Sequence, residues 1–377
     1  MESTLNVLSA ENIVGIKEAL ALQKSKFEHL RMEVRKLHFK KIDPAGSYTS
    51  ITFKAVDGGM TSVRMNPYEL DVVHIADSNF RNKLSFVVPD ISSSGLHLDD
   101  DMFKEEFAKQ LDSIEILKKF SELLGLKSVA DVSYILQDSS RLMELAEYAC
   151  IFERVTADMD DPVIVLRDGL LRSKFLKDFL IKKLIRVLHE KKGHVKLVGV
   201  AKTSAILSLL SVAIFCEKII PPEAVGYIKI PLYLELQAYT WSGSGKVDPL
   251  NAKHLDYAFG ELYIVKLCKN SNLLVTLEVP YDWDADNPVY TQEEVEEIIS
   301  YLAKDSKLSY PDIGYPQTIM RAHEAAARLG FPASIMRDEI RDKILSAVDK
   351  DTKGFLRDGW LLMDTVDKGV LGGGKYE

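Results

Sequence analysis

Apolar and polar positions change period several times along the chain, and each change marks an element. From about Ala10 to Lys41, leucines and isoleucines recur among Lys and Glu without a proline until Asp43-Pro44-Ala45-Gly46. This predicts one long amphipathic helix or a helix pair. Ser50–Val56, Met60–Met65 and Leu70–Ala76 then read as strands, separated by Asp57-Gly58-Gly59 and the Asn66-Pro67 breaker. Three short runs joined by turn residues make an antiparallel meander. Ser92–Asp101 is loop-like, and helical patterning returns over Met102–Leu124 and Val129–Val155. Val163–Arg167 is a buried-type strand ending in Asp168-Gly169, followed by a helix over Ser173–Lys191, a strand over Val195–Lys202 and a helix over Ala205–Cys216. Further strands are expected at Tyr227–Leu236, Gly260–Leu267 and Leu273–Val279, and helices at Thr291–Lys304, Tyr315–Leu329 and Ser334–Val348. The order is mixed α/β with an antiparallel portion.

A chain of 377 residues has room for two or three domains, or for one core with large insertions. The expected division is an N-terminal helical arm over 1–45, a main domain over 46–345 and a C-terminal tail over 346–377. Cys150, Cys216 and Cys268 lie far apart, which excludes a disulfide scaffold and a paired-cysteine zinc site and fits a reducing compartment. The net charge of −8 argues against a chain coated in positive charge, yet leaves room for a local basic groove. Lys174, Lys177, Lys182 and Lys183 on one expected helix face, which also carries Arg186, are candidates for it together with Lys202. The longest apolar stretch, Ala205–Cys216, is too short to span a bilayer, and no secretory leader pattern opens the chain. A cytoplasmic protein with no membrane association is expected.

Candidate chemistry concentrates at strand ends. Asp57-Gly58 and Asp168-Gly169 each follow an apolar run, a place where a carboxylate meets the rim of a sheet and a ligand can reach it. Two carboxylates on neighbouring strands would repel unless they shared a proton or a cation. Such hard oxygen donors suit Mg²⁺ or Mn²⁺, ions that activate water and clamp a phosphodiester. Asp-Gly is also the commonest turn dipeptide, and spacing alone leaves both readings open. A meander bearing one Asp, a helical connection and a strand bearing a second is the order of ribonuclease-H-like nucleases. Such sites need a further helical carboxylate, for which Glu144, Glu147 and Glu153 are available. Lys202 ends its own strand and would favour both carboxylate charges and a phosphate. Tyr315-Pro316 opens a helix that carries His323 two turns further in. Two lookalikes are set aside. Asp282–Asp286 with Glu293 has calcium-loop spacing, but Asn287 stands where glycine is needed, and Thr291 with Glu294 as a capping box explains the helix start. Trp241–Lys246 resembles a phosphate loop but lacks its first glycine and the hydroxyl residue after Lys.

Val56-Asp57-Gly58-Gly59, Leu166-Arg167-Asp168-Gly169-Leu170-Leu171, Val198–Ser204 with Lys202, and Tyr315-Pro316 with Ala322-His323 occur in the order seen in the NurA family, which the chain resembles over about residues 50–330. The resemblance implies a ribonuclease-H-like mixed sheet flanked by helices and a metal-dependent nuclease, Mn²⁺ or Mg²⁺ being the cofactor. It also implies a homodimer around a DNA channel, end resection in double-strand-break repair, and partnership with a HerA-type hexameric ATPase. Carried over residue by residue, Asp57, Glu147, Asp168 and His323 are expected at the metal, Tyr315 completes the site, and Lys202 contacts phosphate. Arg167 and Leu170 depart from the family pattern, which has an apolar residue before the second Asp and Ser after its Gly. Two rivals remain: an inactive subunit that threads DNA beside a motor, and an argonaute-type nuclease, for which the chain is short. The chain carries no NTPase loop of its own, and its N-terminal segment, with Ile13, Ile16, Leu20, Leu22, Phe27 and Leu30, is expected to offer apolar surface for dimerisation or docking.

Overall fold

In the computed structural model Thr52–Met65 runs as one strand of 14 residues, so Asp57-Gly58-Gly59 lies inside a strand and not at a turn. The structure describes residues 16–44, 51–65, 68–89, 101–131, 139–158, 161–173, 176, 178–241, 257–307, 309–329 and 333–370. Along the chain come α1 (Ile16–Val34), β1 (Phe39–Ile42), β2 (Thr52–Met65), β3 (Tyr68–Asp77), β4 (Asn82–Pro89), α2 (Asp101–Asp112), α3 (Glu115–Leu123) and α4 (Ser139–Thr156). Next are β5 (Val163–Asp168), α5 (Asp178–Lys191), β6 (Val195–Ala201), α6 (Ala205–Cys216), β7 (Val225–Lys229), α7 (Leu232–Trp241), β8 (Gly260–Lys266), β9 (Val275–Asp282) and β10 (Asn287–Pro288). The last are α8 (Gln292–Asp305), α9 (Gln317–Leu329), α10 (Ala333–Ala347) and α11 (Lys350–Val370). The class is mixed α/β, as the order of periods predicts.

The chain forms two compact units, each made of two stretches: Met1–Thr52 with Leu166–Gln317, and Phe53–Val165 with Thr318–Glu377. The boundary falls within β5, whose first three residues count with the second unit and whose last three count with the first.

In the first unit, β1, β7, β8, β9 and β6 lie in that order, each pair antiparallel, with β10 paired to β9. Leu30 and Val34 of α1, Leu210 and Ile214 of α6, Leu234 of α7 and Ile264 of β8 share one core cluster. Each such side chain contributes about 1.5–3 kcal/mol through burial. The C-terminal half of α1 is therefore part of a core. Ser204 starts α6 by accepting from the Leu207 N–H at 3.1 Å.

In the second unit, β2, β3 and β4 form an antiparallel meander in which Asp57 pairs with Ala76 and Gly59 with His74. Val63 and Val72 on these strands pack with Leu345 of α10 and Trp360 of α11. Ala76 meets Ala325 and Ala326 of α9, small residues that let helix and strand approach closely.

Several elements differ from the sequence expectation. The helix expected to reach Lys41 ends at Val34, and Phe39–Ile42 is a strand because Ile42 turns into the core and Lys40 pairs with Tyr227 of β7. The single strand expected at Tyr227–Leu236 is β7 followed by α7; Pro231 cannot continue a ladder but suits a helix start, where its carbonyl accepts from Leu234. The meander consists of β2, β3 and β4, so what reads as two strands and a turn is one strand. Val129–Asp131, expected to open a long helix, form a 3-10 turn, α4 is described over Ser139–Thr156, and the expected tail contains α11. The Asp282 carboxylate accepts from the Asp284 and Ala285 N–H groups to build the β9–β10 turn, and Thr291 with Glu294 closes a capping box. The expected loop at Ser92–Asp100, the lookalike phosphate loop after Trp241, and Lys174 and Lys177 lie outside the described residues. Among the described residues no helix is long and apolar enough to cross a membrane.

Candidate active site

In the second unit Asp57 and His323 meet, and Glu147 reaches the glycine beside Asp57. Asp57 is mid-strand on β2 with its side chain 12% exposed, and His323 Nδ1 of α9 lies 2.9 Å from its Oδ2. His323 stays 69% exposed, because the buried face of α9 is made by Ile319, Ala322, Ala325 and Ala326. The Ala76–Ala325–Ala326 contact explains the placement: Ala76 is the ladder partner of Asp57, and only small side chains there bring the helix near enough. Glu147, buried on α4, accepts the Gly58 backbone N–H at 3.0 Å. A side chain on Gly58 would place its Cβ 2.6 Å from Glu147 Oε1 and 2.9 Å from Met143 Cγ, so glycine is what permits this approach. Of the other candidate carboxylates, Glu153 is paired with Lys83 at 2.9 Å, and Glu144 is half-buried on the same helix.

In the first unit Asp168, Tyr315 and Lys202 meet. Asp168 ends β5, and the chain leaves through Gly169 at φ 106°, whose N–H donates to Val200 of β6 at 2.8 Å. That left-handed conformation is why glycine follows the carboxylate. The Tyr315 hydroxyl lies 2.7 Å from Asp168 Oδ1 and 3.0 Å from the Val200 carbonyl. The tyrosine is fully buried, so its hydroxyl fixes the carboxylate from within. The Lys202 ammonium stands 4.5 Å from the Tyr315 ring centroid and pairs with Asp312. The departure at Arg167 has a structural account: its buried guanidinium donates to the Leu170 carbonyl and ties down the turn after Asp168.

Two partners were not visible in the sequence. Asp312 carries no signal beyond lying shortly before Tyr315. The Arg172 side chain is buried, its Nη1 donating to Glu235 at 2.7 Å and its Nη2 to Glu278 at 3.0 Å. Glu278 is fully buried and also accepts the Arg172, Phe259 and Gly260 backbone N–H groups. A carboxylate inside the apolar strand Val275–Asp282 was the one available signal of a buried cation nearby.

A family model described as the NurA domain matches residues 72–328, most of the chain, so the chain belongs to the NurA family. The match begins after Asp57 and contains Glu147, Asp168, Lys202, Tyr315 and His323. Among solved structures, the chain is similar to the NurA nuclease from Sulfolobus solfataricus at 12% identity, with 90% of this chain and 98% of that chain covered and a TM-score of 0.44. A second NurA crystal structure is 12% identical, with 92% and 100% covered and a TM-score of 0.40. A NurA structure with manganese is 10% identical, with 89% and 99% covered and a TM-score of 0.37. No curated protein matches the sequence. Membership rests on the family-model match.

Proposed function

We propose that this NurA-family chain is a metal-dependent DNA nuclease that uses Asp57, Asp168 and His323 to hold a divalent cation. The observation that carries the reading is a carboxylate and an imidazole brought together within the second unit, Asp57 with His323, to which Asp168 is added on the order of the family's motifs. Within the second unit the Asp57–His323 separation of 2.9 Å suits adjacent donors on one ion, since octahedral ligands at about 2.1 Å lie about 3.0 Å apart. Oxygen donors with one nitrogen fit Mn²⁺ or Mg²⁺ better than a thiolate-seeking metal.

A bound cation would supply Lewis acidity at the scissile phosphate and a more acidic water. The chain's own residues do the rest. Tyr315 holds the Asp168 carboxylate in one orientation through the 2.7 Å contact, and Glu147 braces β2 beside Asp57 by accepting the Gly58 N–H. Lys202, exposed enough to exchange Asp312 for a phosphate oxygen, draws the substrate backbone in and steadies charge developing on it.

The finer reading is a nuclease on a ribonuclease-H-like core, an exonuclease on single- and double-stranded DNA that also cuts single strands internally. It acts as a cytoplasmic homodimer in end resection and double-strand-break repair, with a HerA-type hexameric ATPase as motor. Support comes from the ordered motifs and from family membership, together with the lack of an NTPase loop in the sequence. The test is cleavage of end-labelled single- and double-stranded DNA with Mn²⁺, Mg²⁺ or EDTA. Asp57→Asn and Asp168→Asn should each lose at least about 100-fold in rate while unfolding at the wild-type temperature, because charge at the cation is lost without a change in volume. A wild-type chain that cuts nothing with either metal would leave the inactive DNA-threading subunit, and undiminished cutting by either variant would remove that residue from the site.

A further inference from the structure

The turn between β3 and β4 holds a phenylalanine where the backbone suits glycine. Phe80 has φ 59°, a left-handed conformation that is an outlier for a bulky residue. Asp77 imposes it: its Oδ1 accepts the Asn79 N–H at 2.9 Å and the Arg81 N–H at 3.2 Å, while its carbonyl accepts the Phe80 N–H at 3.0 Å. The strain is not offset by full burial, since Phe80 is 42% exposed. The ring's partners are cations. The guanidinium carbons of Arg321 and Arg328, both on α9, lie 5.7 Å and 5.3 Å from its centroid. Arg328 also pairs with Glu324. The turn begins where the candidate site stands, because Asp77 pairs with Val56 and Ala76 with Asp57, and α9 is the helix that carries His323.

Strain, exposure and paired guanidinium groups on one aromatic ring make sense together as a contact kept for a ligand that is both planar and anionic. We infer that Phe80, Arg321 and Arg328 form a platform on which a base of a single-stranded nucleic acid stacks, its flanking phosphates taken by the two arginines; the inference rests on the nuclease reading above. On binding, a guanidinium leaves the ring for a phosphate and the base takes its place. The exchange is favourable because an exposed cation–π contact is weaker than base–aromatic stacking, and the leaving cation gains a charged partner. Every base has a stackable face, so the platform tolerates sequence.

Fluorescence anisotropy with labelled oligothymidine in EDTA tests this without cleavage. Phe80→Gly should bind about 5- to 100-fold more weakly than wild type, and Phe80→Trp should bind at least as well as wild type. An abasic strand of the same length should bind wild type and Phe80→Gly equally. Because glycine suits the turn, Phe80→Gly should unfold at or above the wild-type temperature, which separates lost stacking from lost folding. Arg321→Gln with Arg328→Gln should weaken both strands. Undiminished affinity of Phe80→Gly for oligothymidine, or an equal loss on the abasic strand, overturns the platform. Failure of the nuclease reading is a separate result: a wild-type chain that cuts nothing fails in the cleavage assay, whatever the anisotropy shows.

Discussion

His74 and Gly59 constrain each other across the β2–β3 pair. A Cβ on Gly59 would come 2.2 Å from His74 Nε2, and that nitrogen lies 2.8 Å from the Ala326 carbonyl of α9. The imidazole therefore links the strand next to Asp57 to the helix that carries His323. Burial lowers its pKa from the ordinary 6.5, against the opposing pull of the Ala326 carbonyl. The sign follows directly: between the depressed folded value and 6.5 the unfolded chain binds the proton and the folded chain does not. Stability contributed by neutral His74 is complete above 6.5 and falls as pH drops below it, by up to about 1.4 kcal/mol per pH unit. Urea unfolding at pH 7 and pH 5 should show wild type losing more stability on acidification than His74→Gln. An equal loss in both proteins would remove His74 as the source.

Among elements, α7 and β9 are held to the segment after β5 by a buried charge cluster. Burial alone would lower the Arg172 pKa, but the Glu278 and Glu235 carboxylates outweigh it and raise the value well above that of an ordinary arginine. Burial likewise raises Glu235, with Arg172 opposing. Removing one member strands the others without solvent. Arg172→Met should destabilise the chain by about 3–5 kcal/mol, measured by chemical denaturation. Combining it with Glu235→Gln and Glu278→Gln should recover most of that loss, because neutral amides carry no stranded charge. If the triple variant is as unstable as the single one, packing and not charge dominates the cluster.

For the whole molecule, a net charge of −8 means that strand binding must come from local cations, so affinity should fall steeply with salt. Neutralising Lys202 by substitution with Gln should reduce the slope of log affinity against log salt by about 0.7–0.9, the share of one phosphate contact. An unchanged slope would place Lys202 away from the DNA backbone. What the sequence determined alone was set by local chemistry. Apolar runs ending at Asp168 and Ala201 revealed β5 and β6, so Asp168 and Lys202 were legible at strand ends, and the amphipathic segment opened by Pro316 revealed α9 with His323. Asp57 was legible as a candidate but not as a mid-strand residue, because Asp-Gly-Gly has the composition of a turn. It stays extended because β3 pairs with it on both sides of the glycines and Glu147 takes the Gly58 N–H. The Glu147 contact to the Gly58 N–H, the Tyr315 hydroxyl on Asp168, and the Arg172 cluster were decided only in three dimensions. Each depends on partners that folding brings together from 63 to 147 positions apart, and no local periodicity records which distant backbone or side chain will satisfy a buried polar group.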